Sequence, residues 1–102
     1  MNKRWPGIRP VHPGEMLREI VFPALGTSKT EIARLLGVSR QTLYDVLNEK
    51  QPITANLALR IGKLIGDDPE NLLRMQQSYD LEIAQRALAK TLKGIPTLQA
   101  AE

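Results

Sequence analysis

The chain contains no cysteine. That excludes disulfides, thiolate nucleophiles and zinc sites built on cysteine, and it fits a reducing compartment. There is a single histidine, His12. No HExxH segment and no glycine-rich phosphate loop is present, and no nucleophile stands at a useful spacing from a base. The expectation is therefore a protein that is not an enzyme and needs no metal or cofactor. A lone histidine beside a first helical turn reads as structural. Adjacent Asp67 and Asp68 are explained by helix capping. No apolar run approaches the roughly 20 residues of a membrane span. The basic N-terminus lacks the apolar stretch that a secretory leader requires behind it. The cytoplasm is the expected location. No internal repeat and no strand periodicity is found.

At 102 residues with 42% apolar side chains, the sequence can build one domain with a modest core. A net charge of +3 is too small to diagnose a nucleic-acid partner. Its distribution is more telling. Residues 1–60 carry nine Lys/Arg against five Asp/Glu, whereas residues 61–102 carry five against six.

Residues 1–12 read as an irregular basic arm with Lys3, Arg4, Trp5 and Arg9. A first helix starts at Pro13, where the missing N–H costs nothing. Leu17, Ile20 and Val21 form its apolar face, and Pro23 is expected to stop it. A second helix follows Ser28, with Ser28 and Glu31 as a capping box and Ile32, Ala33, Leu35 and Leu36 facing inward. Ser39 caps a third helix that buries Leu43, Val46 and Leu47. Thr54 opens a fourth, with Leu57, Ala58, Ile61, Leu64 and Ile65 inward and Gly66 at its end. Asp67, Asp68 and Pro69 open a long fifth helix to about Leu92, ended by Gly94 and Pro96. The domain map is an arm (1–12), a helix-turn-helix domain (13–66), a C-terminal helix (67–93) and a flexible tail (94–102). The expected fold class is all-α, with five helices.

The stretch 29–48, KTEIARLLGVSRQTLYDVLN, carries the most information. Ala33 falls where two helices cross closely and only a small side chain fits. Gly37 falls in the turn, where positive φ is cheap for glycine alone. Ile32, Leu36, Val38, Leu43 and Val46 occupy the apolar positions of a helix-turn-helix. Such a motif lays its second helix in the major groove of DNA. The outward residues Ser39, Arg40, Gln41, Tyr44, Asp45 and Asn48 carry groups that bond to base edges or phosphates. Arg40 suits guanine and Gln41 suits adenine, so these two and Tyr44 are the leading readout candidates. Asp45 can accept from cytosine or hold Arg40 or Arg34. Lys29, Thr30, Thr42, Lys50 and Thr54 are candidates for phosphate contacts that fix register. Thr54 reads equally well as a plain N-cap.

His12-Pro13-Gly14-Glu15 with Leu17, Gly37-Val38-Ser39-Arg40-Gln41-Thr42, Ile53-Thr54-Ala55 and Ala58-Leu59-Arg60 resemble the HigA-type (VapI-like) antitoxins of the Xre/Cro-like helix-turn-helix superfamily. Leu72-Leu73, Gln76 and Tyr79-Asp80-Leu81 extend the likeness, which covers roughly residues 12–85. Lys29 departs from the family's usual Gln or Asn-like residue, and Leu72-Leu73 lacks a nearby Trp common there. The resemblance implies an all-α, five-helix, lambda-repressor-like DNA-binding domain with a long C-terminal helix, and a bacterial type II antitoxin. It would neutralise a RelE/HigB-like mRNA endonuclease toxin and repress its own promoter.

The fifth helix carries two stripes: Leu72, Met75, Tyr79, Ile83 and Arg86, and Leu73, Leu81, Ala84, Leu88 and Leu92. A monomer this small covers one. A homodimer built on Leu73, Tyr79, Leu81, Ala84 and Leu88 is expected, matching a palindromic operator in double-stranded DNA. Glu15 and Glu19, four apart, can meet a basic toxin or simply be solvated beside Arg18. Trp5 can anchor a partner or fold over the core. Two other readings stay open: a free-standing Xre-family repressor without a toxin, and a protein-interaction module that has lost DNA binding.

Overall fold

The computed structural model describes residues 9–101. These are all helix and connection, with no strand among them. Trp5, Lys3 and Arg4 lie outside the described residues. In chain order the elements are α1 (Pro13–Met16), a π-helical segment (Leu17–Val21), α2 (Phe22–Leu25), α3 (Lys29–Leu36), α4 (Arg40–Leu47), α5 (Ala55–Ile65), α6 (Pro69–Ala87) and α7 (Ala89–Lys93). The first three run on as one rod and α6–α7 nearly do, so five helical bodies result. None is long and apolar enough to cross a membrane.

Pro23 does not stop the first helix. A proline ring clashes with the carbonyl four residues back and supplies no N–H. The helix widens ahead of it instead: the Phe22 N–H donates to the Leu17 carbonyl, five residues back. The rod then continues to Leu25 and ends at Gly26, in the left-handed region at φ 67°. The wider turn also shifts the register of side chains. Leu17 and Phe22 are buried and Val21 is half-buried, but Ile20 is 67% exposed rather than inward.

The caps follow the residue types. Ser28, Ser39 and Thr54 each accept a backbone N–H three residues on, and Asp68 accepts from Glu70, satisfying N–H groups left over at a helix start. The capping box at Ser28 is one-sided. Both Glu31 carboxylate oxygens bind Arg34 instead of reaching back. Leu35 is exposed, because it lies roughly a third of a turn from the inward face of Ile32, Ala33 and Leu36. Leu64 and Ile65 pack against the core edge and are only half-buried. The long last helix breaks at Leu88 (ψ 9°) before α7. Residues 83–101 are all exposed, so no neighbouring element holds it straight.

The core gathers at the back of α4. Leu43, Val46 and Leu47 are at most 1% exposed and meet Leu17, Ile32, Ile61 and Leu72 in one cluster. Burying side chains of this size is worth about 1.5–3 kcal/mol each, against about 0–1 for exposed ion pairs. Apolar seating therefore holds α4 in place. The tightest approach is at Gly14, where any Cβ would stand 2.0 Å from the Val46 carbonyl oxygen. Next to it, buried His12 caps α1: its Nδ1 accepts the Gly14 N–H at 2.9 Å, and its ring meets Tyr79 edge-on at 5.0 Å.

Two outcomes follow from this corner. Gly14→Ala forces α1 away from α4 and should cost about 2–3 kcal/mol in urea denaturation; an unchanged midpoint would refute the close approach. For His12, burial lowers the pKa, outweighing the raising influence of Glu49, Asp80 and the Gln51 backbone. The cap also requires the neutral ring. Its stabilisation is thus present above the unfolded value of about 6.5 and is lost as pH falls below that toward the lowered folded value. The urea midpoint should drop between pH 7 and pH 5, and His12→Asn, a non-titrating cap, should flatten that slope.

Candidate nucleic-acid interface

The turn between α3 and α4 is held from three sides. Gly37 sits at φ 74°, with its N–H on the Arg34 carbonyl, and Val38 donates to the Ala33 carbonyl at 3.1 Å. Ala33 is buried at the crossing. Arg60 reaches over from α5: Nη1 donates to the Leu36 carbonyl and Nε to Asn56 Oδ1, both at 2.8 Å. A Cβ on Gly37 would stand 2.9 Å from that Nη1. The positive φ therefore favours glycine here, and a larger residue would also have to displace the tip of Arg60.

With its back buried, α4 presents one polar edge. Ser39, Arg40, Gln41, Tyr44 and Asn48 are exposed, and Asp45 is half-buried. Ser39 accepts the Thr42 N–H and donates to Thr42 Oγ1 at 2.8 Å, which leaves the Thr42 hydroxyl hydrogen free to donate. Asp45 holds neither Arg40 nor Arg34. It accepts from Gln41 Nε2 at 2.7 Å, while Arg34 is taken by Glu31. The reason is spacing: Gln41 stands four residues before Asp45 on the same face. One Nε2 hydrogen and Oε1 of Gln41 remain for a base edge. Arg40 has no ion-pair or hydrogen-bond partner among the described residues, so its planar fork points to solvent unspent.

Of the expected phosphate contacts, Lys29 and Thr30 lie exposed in the first turn of α3, and Lys50 is exposed in the loop after α4. Thr54 caps α5, accepting from Leu57 N at 3.3 Å. Arg9 forms a bidentate pair with Glu15, both contacts at 2.6 Å. That bond holds the Glu15 carboxyl below its ordinary range, and Arg34 does the same to Glu31. Glu19 pairs with Arg18.

The sequence reading gave no structural role to Arg18 or Arg60, and matched Gln76 only as part of a family segment. Arg18 Nη1 donates to the Leu47 carbonyl at 2.5 Å, across 29 residues of sequence, and lies 3.5 Å from Glu49. It thereby closes the C-terminal end of α4 as Arg60 closes that of α3. Glu49 holds the left-handed region at φ 63° beside it. No local signal marks the carbonyl contacts of these arginines, since those acceptors lie in distant segments. Gly14 was at least framed by the His-Pro-Gly-Glu match. Of the residues read as dimerising, Leu81, Ala84 and Leu88 are exposed. Leu73 and Tyr79 are half-buried within the chain.

Comparison with known proteins agrees with this geometry. A family model described as helix-turn-helix (HTH_3) matches residues 16–67. Virulence-associated protein I of Dichelobacter nodosus is 38% identical over 76 residues, which span 74% of this chain and 70% of that protein. Antitoxin HigA-1 of Vibrio cholerae serotype O1 is 33% identical over 73 residues, spanning 72% and 69%. Among solved structures, Pseudomonas aeruginosa antitoxin HigA with the higBA promoter superposes at TM-score 0.83 and 33% identity, covering 89% of this chain and 100% of that one. Antitoxin GraA in complex with its operator superposes at TM-score 0.84 and 33% identity, covering 97% and 100%. Motif, fold and relatives agree, and the chain belongs to the HigA-type, VapI-like antitoxins of the Xre/Cro-like helix-turn-helix family.

Proposed function

We propose that this protein binds double-stranded operator DNA as a homodimer, placing α4 of each protomer in the major groove of a palindromic site. In that reading it represses its own promoter and neutralises a RelE/HigB-like mRNA endonuclease as the antitoxin of a type II pair. The observation that carries the DNA-binding part is the exposed polar edge of α4 on a fully buried apolar back. Arg40, Gln41 and Tyr44 read bases, supported by Ser39, Asp45 and Asn48. Lys29, Thr30, Thr42, Lys50 and Thr54 hold phosphates, helped by the N–H groups at the start of α3.

The dimer rests on apolar side chains that one protomer leaves uncovered: Leu81 at 59%, Leu88 at 45% and Leu92 at 46% exposed, with Ala84 between them. The antitoxin role rests on the relatives that carry that name and on HigA and GraA having been solved with promoter or operator DNA.

Binding to the protein's own promoter, followed by fluorescence anisotropy, tests the readout. Arg40→Ala with Gln41→Ala should cost about 1–3 kcal/mol for each lost contact and erase the preference over random duplex. Unchanged specificity in the double variant would remove α4 from the readout. Lys50→Ala should weaken all sequences alike and lower the salt slope by about one. Leu81→Asp with Leu88→Asp should sediment as a monomer where the parent sediments as a dimer. Co-purification should yield a small basic nuclease-type protein encoded next to this gene. Operator binding without such a partner would favour a free-standing repressor.

A further inference from the structure

We infer that Gln76 is a positioning residue for DNA recognition: it ties the loop behind the recognition helix to α6 and so sets the half-site spacing that the dimer accepts. The inference rests on the DNA-binding dimer proposed above and adds a residue and a measurable property to it.

Gln76 is 5% exposed, and both ends of its amide are used. Oε1 accepts the Ile53 N–H at 2.8 Å, and Nε2 donates to Asp80 Oδ1 at 2.9 Å. Ile53 is itself buried and closes the loop that joins α4 to α5. Its N–H has no helical partner, so without Gln76 a buried donor would be left unpaired. Asp80, one turn further along α6, fixes which way round the amide sits. Loop position is thereby referred to α6 by a directional bond, not by apolar packing alone.

The same helix reaches α4 from its other side. Tyr79 meets the His12 ring, His12 caps α1, and Gly14 lies against the Val46 carbonyl. Gln76 and Tyr79 are three apart on α6, so one face of this helix grips the surroundings of α4 at two points. The neighbouring face carries Leu81, Ala84 and Leu88, the surface assigned to the second protomer. One continuous helix, α6, therefore joins Leu81 and Ala84 of the proposed dimer contact to the seat of α4. In a two-fold dimer, the separation and pitch of the two recognition helices are fixed only as firmly as that joint.

The test uses duplexes carrying two operator half-sites whose spacer is varied one base pair at a time. The parent protein should prefer one spacing, with neighbouring spacings roughly tenfold weaker. Gln76→Met, close in size but unable to bond Ile53, should flatten this profile to less than about threefold. It should still sediment as a dimer and bind an isolated half-site with parent affinity. Gln76→Glu with Asp80→Asn exchanges acceptor and donor at constant net charge and should restore the profile. A general loss of stability would lower binding to every spacer in proportion and leave the preference intact. That result with Gln76→Met, or failure of the exchange to restore a flattened profile in a folded dimer, overturns the inference and leaves the functional reading standing. A parent protein that is monomeric or shows no spacing preference overturns both.

Discussion

The fit of α1 against α4 is the contact on which the interface depends. Gly14 lies so close to the Val46 carbonyl that no larger residue can occupy its place. With the two backbones that near, Leu17 can seal the same core as Leu43, Val46 and Leu47. Were the helices further apart, α4 would lose burial worth several kcal/mol on the side that holds it. Its outward residues would then have no fixed origin from which to meet a duplex.

Polar groups do a different task from apolar ones here. The C-terminal carbonyls of α3 and α4 cannot be satisfied within their own helices. Arg60 supplies Leu36 and Arg18 supplies Leu47, each from a helix remote in sequence. Gln76 does the same for the Ile53 N–H. Because these donors and acceptors come from elsewhere, no exposed side chain of α4 is needed to close these ends. Among the described residues, the polar side chains of α4 and its cap that are engaged are Ser39, Thr42, Gln41 and Asp45, all of them locally. Arg40 has no hydrogen-bond or ion-pair partner among the described residues. Preorganisation of this kind lowers the ordering cost that a binding edge otherwise carries.

Where local chemistry decides the outcome, sequence reasoning reached it. Ser28, Ser39, Thr54 and Asp68 cap because their side-chain oxygens reach the next free N–H groups, whatever lies around them. Gly37 and Gly66 end helices because their φ angles are positive. Where two local influences compete, or where packing is absent, it missed. Pro23 looked like a stop, yet the backbone widened by one residue and continued, carrying Ile20 to the surface. Leu35 looked inward by hydrophobicity and proved outward by phase. Glu31 was assigned to a reciprocal cap, but a guanidinium one turn away competes better for its carboxylate. The break at Leu88 lies where no packed neighbour enforces a continuous helix.

The amino-acid sequence by itself determined the helix starts, the glycine-ended helices, the helix-turn-helix register and the identity of the polar edge from Ser39 to Asn48. These follow from periodicity and from bonds spanning at most four residues, which a linear pattern contains. Tertiary structure alone decided which carbonyls Arg18 and Arg60 would close, that Gln76 would hold the loop at Ile53, and that Gly14 would be pressed onto Val46. Those partners lie 23 to 32 residues apart along the chain. Their pairing depends on the angles at which whole helices pack, and no local spacing encodes such an angle.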